Sequence, residues 1–106
     1  MNQTIKTLLR ELKAGLEAIY ARRLRGVYLY GSYARGEEGG ESDVDVLVVL
    51  EDFDRYGAEI DRTSHLVSEL SLRYGMSVSR VFVPERDWLN RESPFLVNVR
   101  EEATPA

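Results

Sequence analysis

A glycine–serine pair, Gly31 and Ser32, is followed after ten residues by Asp43-Val44-Asp45. Side chains alternate faces along an extended strand, so Asp43 and Asp45 project to the same side with their backbones roughly 6.5 to 7 Å apart, within reach of one cation. Two acids so placed repel each other and lose hydration if partly buried, an arrangement that calls for a neutralising cation or basic neighbours. Mg2+ suits them, because it takes oxygen ligands, keeps several waters and commonly bridges protein carboxylates to substrate phosphates. Gly31 lets a ligand approach the backbone and tolerates unusual dihedrals. Ser32 is expected to cap a short helix through Tyr33-Ala34-Arg35, where exposed amides suit phosphate and Arg35 adds a positive charge. Taken singly, a Gly-Ser turn is usually only a turn and an Asp-x-Asp a solvated strand end. Together they point to the holding of a metal ion and a nucleoside triphosphate.

The elements that must position these residues are legible around them. Val27-Tyr28-Leu29-Tyr30 reads as a short buried strand ending at Gly31, and Asp43 to Leu50 as a second, longer strand. Between them Gly36, Gly39 and Gly40, interleaved with Glu37, Glu38 and Glu41, predict a mobile acidic loop. Thr4 to Arg23 predicts an amphipathic helix, with Ile5, Leu8, Leu9, Leu12, Leu16, Ile19 and Tyr20 on the stripe that covers the sheet. A second helix is expected from Tyr56 to Tyr74, ended by Gly75 and crossing to a strand over Ser77 to Val83 that lies beside the aspartate strand. Pro84-Glu85-Arg86-Asp87-Trp88 reads as a further helix start, and Thr104-Pro105-Ala106 as a frayed end. The expected fold class is α/β (α+β), a small mixed β-sheet flanked by helices. One domain spans 1–106: an N-terminal helix (1–26), the site strands and loop (27–50), a helix and third strand (51–83) and a C-terminal helix and tail (84–106).

Leu29-Tyr30-Gly31-Ser32-Tyr33-Ala34-Arg35-Gly36, followed by Ser42-Asp43-Val44-Asp45-Val46-Leu47-Val48, resembles the signature of the DNA polymerase β-like nucleotidyltransferase superfamily. The short chain is similar to its minimal nucleotidyltransferase branch. The resemblance implies the polymerase β-like nucleotidyltransferase fold and Mg2+-dependent transfer of a nucleoside monophosphate, AMP from ATP, to a hydroxyl with release of pyrophosphate. It also implies that Gly31 and Ser32 bind the triphosphate, that Asp43 and Asp45 are the metal-holding catalytic residues, and that a third carboxylate stands on a later strand. That position falls near Ser79, where this chain has no acid. Glu85 or Asp87, just beyond the strand, are the substitutes within reach in sequence, with Pro84 stiffening the approach. Minimal nucleotidyltransferases often accompany HEPN-domain RNase toxins and act as antitoxins by adenylylating a toxin tyrosine, so a HEPN-type partner is implied. The alternative is a noncatalytic module of the same fold that masks a partner by binding.

Composition bounds the remaining possibilities. With 106 residues, 43% hydrophobic and 30% charged, the chain suits one globular domain, too small for a polymerase with separate template-gripping domains. The absence of cysteine excludes disulfides and cysteine-ligated zinc and fits a cytoplasmic location. No apolar stretch reaches about 18 residues and no export signal is evident, so no membrane insertion is expected. A formal net charge of −4 argues against tight direct binding to nucleic acid. Residues 1–26 hold six basic side chains against two acids, whereas 37–61 hold ten acids and only Arg55. The basic cluster Arg22, Arg23 and Arg25 could meet RNA or an acidic protein, but a solvated helix C-terminus explains it more simply. His65 is expected at the surface or in packing rather than on a metal. Trp88, Phe95, Leu96 and Val97 are expected in packing, with any exposed part a candidate protein interface.

Overall fold

The computed structural model describes residues 3–36 and 43–106. Helix α1 (Gln3–Tyr20) runs through a 3-10 turn at Ala21–Arg23 into strand β1 (Leu24–Tyr30), followed by the single-turn helix α2 (Ser32–Arg35). Strand β2 (Val44–Leu50), helix α3 (Tyr56–Tyr74) and strand β3 (Val78–Pro84) come next, then helices α4 (Glu85–Asn90) and α5 (Pro94–Glu102) and the two-residue strand β4 (Thr104–Pro105). The sheet order is β3-β2-β1-β4. β1 is antiparallel to β2 and to β4, while β2 and β3 are parallel, joined by the α3 crossover that a parallel pair requires. The mixed sheet flanked by helices is the architecture expected from the sequence.

The alternation of side chains divides the core between the two faces of the sheet. Val44, Val46, Val48 and Leu50, with Val27, Leu29 and Phe82, pack under α1 and α3 against Ile5, Leu8, Leu12, Leu16, Val67 and Leu70. Leu47, Val49 and Val83 face the other way, onto Leu96 and Val99 of α5, flanked by Tyr28, Tyr30 and Trp88. Strand β2 is therefore buried on both sides from Val46 to Leu50, which is why its sequence is a continuous apolar run rather than an alternation. Asp45 sits just ahead of that run and is only partly buried, between buried Val44 and Val46.

Three local readings need correction. The aspartate strand begins at Val44, with Asp43 just ahead of the ladder. The C-terminal segment is two helices, because Ser93 accepts a hydrogen bond from the Leu96 amide and Pro94 occupies the first turn, restarting the helix after Asn90. Thr104-Pro105-Ala106 is not frayed: Thr104 and Pro105 pair with Leu29 and Tyr28, and the Ala106 amide donates to the Val27 carbonyl. An open sheet edge offers unpaired backbone groups, and proline is tolerated there because the edge strand has a side that needs no donor. The acid Glu59 of α3 is 4% exposed and accepts a hydrogen bond of 2.7 Å from the Tyr20 hydroxyl. Burial and this partner push the Tyr20 hydroxyl well above the ordinary tyrosine range. The acidic glycine loop predicted after Gly36 lies outside the described residues. Among those described, no helix is long and apolar enough to cross a membrane.

Candidate active site

One end of the sheet gathers the residues singled out by their types. Tyr30 pairs with Asp45 across the antiparallel ladder, and Asp45 pairs with Ser79 across the parallel one. Gly31 follows Tyr30 directly, α2 carries Ser32 and Arg35 away from it, and exposed Asp43 stands two residues before Asp45. Asp45 shares its face of β2 with Leu47 and Val49, so the site opens on the side covered by α5.

Gly31 adopts φ 77 and ψ −157, a conformation accessible in practice to glycine alone. A Cβ on this residue would lie 2.3 Å from Oδ2 of Asp45. The turn and the carboxylate are thus packed backbone against side chain: the dihedral restricts the position to glycine, and a Cβ would force the Asp45 carboxylate to shift. The cap position of α2 falls on Gly31, so Ser32 is the first helical residue and makes no capping bond, contrary to the expectation that it caps. What remains for Ser32 is its place beside the turn.

The electrostatics show a site short of positive charge. Burial and then the neighbouring Asp43 raise the pKa of Asp45, with Glu102 adding to the same effect and Arg35 opposing it. The Tyr30 hydroxyl is pushed up to about 12, first by burial and then by Asp45. A partly buried carboxylate beside a second one, with its basic neighbour only partly compensating, is a donor set that fits a divalent cation. Among the described residues no group of three acidic, histidine or cysteine side chains could hold a metal, so the fit rests on two aspartates. Mg2+ accepts such a pair because it retains waters and shares substrate oxygens.

Glu102, at the end of α5, was not anticipated. One of its oxygens accepts the Gly31 amide at 3.1 Å and the other an Arg35 guanidinium N–H at 3.0 Å. These contacts, Arg35 foremost, hold its carboxyl below the usual range. No spacing could reveal a partner so distant in sequence. The one available signal was Glu101-Glu102 in the last turn of a helix, where the dipole disfavours acids and some other partner is wanted.

The position expected to carry a third acid is occupied by exposed Ser79, the ladder neighbour of Asp45. Glu85 is not brought to this end. Pro84 pairs with Leu50, roughly 16 Å along the strand from Ser79 at about 3.3 Å per residue, and Glu85 stands beyond it, 4.0 Å from Arg25. Asp87 lies farther along the chain in α4, 3.7 Å from Arg91. The structure thus places Glu85 away from Asp45, at the other end of β3, and pairs Asp87 with Arg91. Of the basic cluster, Arg23 donates to the Asp52 carbonyl, Arg25 pairs with Glu51 as well as Glu85, and Arg22 is exposed. His65 is exposed beside Glu69. Trp88 packs on Tyr28, whereas Phe95 is 43% exposed with its ring edge against Tyr30, 5.7 Å between centroids.

Comparison with known proteins shows the family to which this fold belongs. Residues 9–104 match the family model described as a nucleotidyltransferase domain. A relative in Methanocaldococcus jannaschii, named "Putative protein adenylyltransferase MJ0604", is 31% identical over 96 residues, covering 89% of each chain. The solved structure described as "Structure of putative minimal nucleotidyltransferase" superposes with a TM-score of 0.58 at 28% identity, over 95% of this chain and 94% of that one. A toxin–antitoxin crystal structure with AMP-PNP shares the fold, with a TM-score of 0.58 at 23% identity, over 89% of this chain and 68% of that one.

Proposed function

Because the chain belongs to the nucleotidyltransferase domain family, we propose that it transfers AMP from ATP, with Mg2+, to a tyrosine hydroxyl of a HEPN-type RNase toxin and so acts as its antitoxin in the cytoplasm. The observation that carries the reading is the packing of the Gly31 turn against Asp45, with Asp43 beside it and Arg35 across the turn. Gly31, Ser32 and Arg35 would receive the β and γ phosphates, and Asp43 and Asp45 would hold Mg2+. That cation, when bound, supplies charge neutralisation on the phosphate oxygens. The acceptor oxygen forms its bond to the α-phosphorus as the bond to the bridging oxygen breaks, and pyrophosphate carries the electron pair away. With serine at position 79, β3 offers no carboxylate beside Asp45 to take the acceptor proton, and solvent or a group of the partner would accept it.

Two features support a protein acceptor. Relatives carry the name protein adenylyltransferase. A neighbour of the same fold is a toxin–antitoxin assembly holding an ATP analogue. The test is incubation with labelled ATP, Mg2+ and a candidate HEPN protein, followed by mapping of the label to tyrosine. Ser79 in place of a carboxylate favours a second reading, a binding module that masks its partner. Complex formation without label transfer would select it.

A further inference from the structure

The Gly31 turn already holds an anion, and it belongs to the chain itself. Glu102 bridges the turn, one oxygen on the Gly31 amide and the other on Arg35, at 3.1 and 3.0 Å. Those are the donors that a phosphate would use. We propose that Glu102 is an internal competitor for the nucleotide: its carboxylate closes the Gly31–Arg35 site and must swing out before a triphosphate engages it. The inference rests on the reading of Gly31 and Arg35 as phosphate ligands.

The surroundings favour a latch over a permanent strut. The backbone at Glu102 is fixed on both sides. Leu96 and Val99 anchor α5 in the core, the Ala103 amide donates to the Val99 carbonyl, and Thr104 pairs with Leu29. Opening therefore needs only rotation of the side chain, with no melting of the helix. The Glu102 side chain is 25% exposed, so a route to solvent exists. Its charge also acts against Asp45, the acid whose ionisation is already opposed by burial and Asp43. Closed, the latch sets a third carboxylate beside two others; open, it releases the Gly31 amide and its own hold on Arg35 and relieves that repulsion. The apparent affinity for nucleotide is then the intrinsic affinity reduced by the fraction of molecules with Glu102 out.

The test is calorimetric titration of the full chain with ATP and Mg2+, comparing the parent with Glu102→Ala and Glu101→Gln. Glu101 is the exposed neighbour, and its substitution changes net charge equally without touching the turn. Glu102→Ala should bind about tenfold more tightly or better, on the scale of a lost charge-assisted hydrogen bond, while Glu101→Gln stays near the parent. In the nucleotide-free protein the Gly31 amide resonance should move on Glu102→Ala, reporting the lost acceptor. Equal or weaker binding by Glu102→Ala, an equal gain in Glu101→Gln, or an unmoved Gly31 amide each overturns the latch while leaving the phosphate reading in place. If neither the parent nor any variant binds ATP with Mg2+, the phosphate reading falls and the latch falls with it.

Discussion

The backbone of Gly31 and the carboxylate of Asp45 occupy adjoining space with none to spare, a Cβ on the former lying 2.3 Å from Oδ2 of the latter. The turn proposed to bind phosphate and the residue proposed to hold metal are therefore one packed unit, and disturbance of either reaches the other. Gly31→Ala meets both a forbidden dihedral, at φ 77 and ψ −157, and this collision. Denaturant unfolding should show a loss of about 1 to 3 kcal/mol, the scale of a strained backbone residue, and ATP titration should show weakened binding. Parent-like affinity in the alanine variant would detach the turn from the site.

Asp45 should destabilise the metal-free protein. Its pKa is raised in the folded state by burial and Asp43, so folded and unfolded chains differ least below the ordinary carboxylate range, where both are protonated. As pH rises through the raised folded value, the ionised folded form carries the full penalty and stability falls. Asp45→Asn should therefore raise Tm near neutrality without Mg2+, and that advantage should vanish in acid. Added Mg2+ should raise the Tm of the parent and not that of the variant. Scanning calorimetry across pH, with and without Mg2+, checks both halves.

What was legible in the sequence was local or periodic. Gly31-Ser32 and Asp43-Val44-Asp45 announce themselves by type and spacing; the two-residue period predicts both acids on one face, and Asp43, just ahead of β2, acts electrostatically on Asp45. The strand that follows α3 was legible as a neighbour of β2, the family resemblance pointed to Ser79 within it, and the structure pairs Ser79 with Asp45. What stayed hidden depends on contacts between distant segments. Glu102 reaches Gly31 across 71 positions. Thr104 and Pro105 look like a free end until the bare edge of β1 is known. Glu59 looks like a surface acid until the Tyr20 hydroxyl is found beneath it. The cap at Ser32 failed for a smaller reason: the helix begins one residue earlier than its hydroxyl suggests, with Gly31 at the cap.

Tyr20 and Glu59 join α1 to α3 away from the candidate site. Tyr20→Phe would leave Glu59 buried without this donor, with Arg62 at 3.7 Å as its remaining charged neighbour. A loss of about 1 to 3 kcal/mol in unfolding free energy is expected, with ATP binding unchanged at temperatures where the variant stays folded. Altered nucleotide affinity in the folded variant would show that the helical layer is coupled to the site.

Ser79 offers the sharpest test of how the chemistry is limited. It is exposed, and it is the ladder partner of Asp45, so Ser79→Asp sets a third acid at the edge of the metal site without disturbing the core. If proton removal from the acceptor limits the parent, label transfer to a partner tyrosine should rise by about 10²-fold or more, the scale of a positioned base. Glu85→Gln should leave the rate unchanged, because Glu85 stands at the opposite end of the sheet beside Arg25. Asp43→Asn should abolish transfer. A rate that falls in Ser79→Asp while ATP and Mg2+ still bind would mean that carboxylate repulsion outweighs any gain at this position, and that the partner supplies the base.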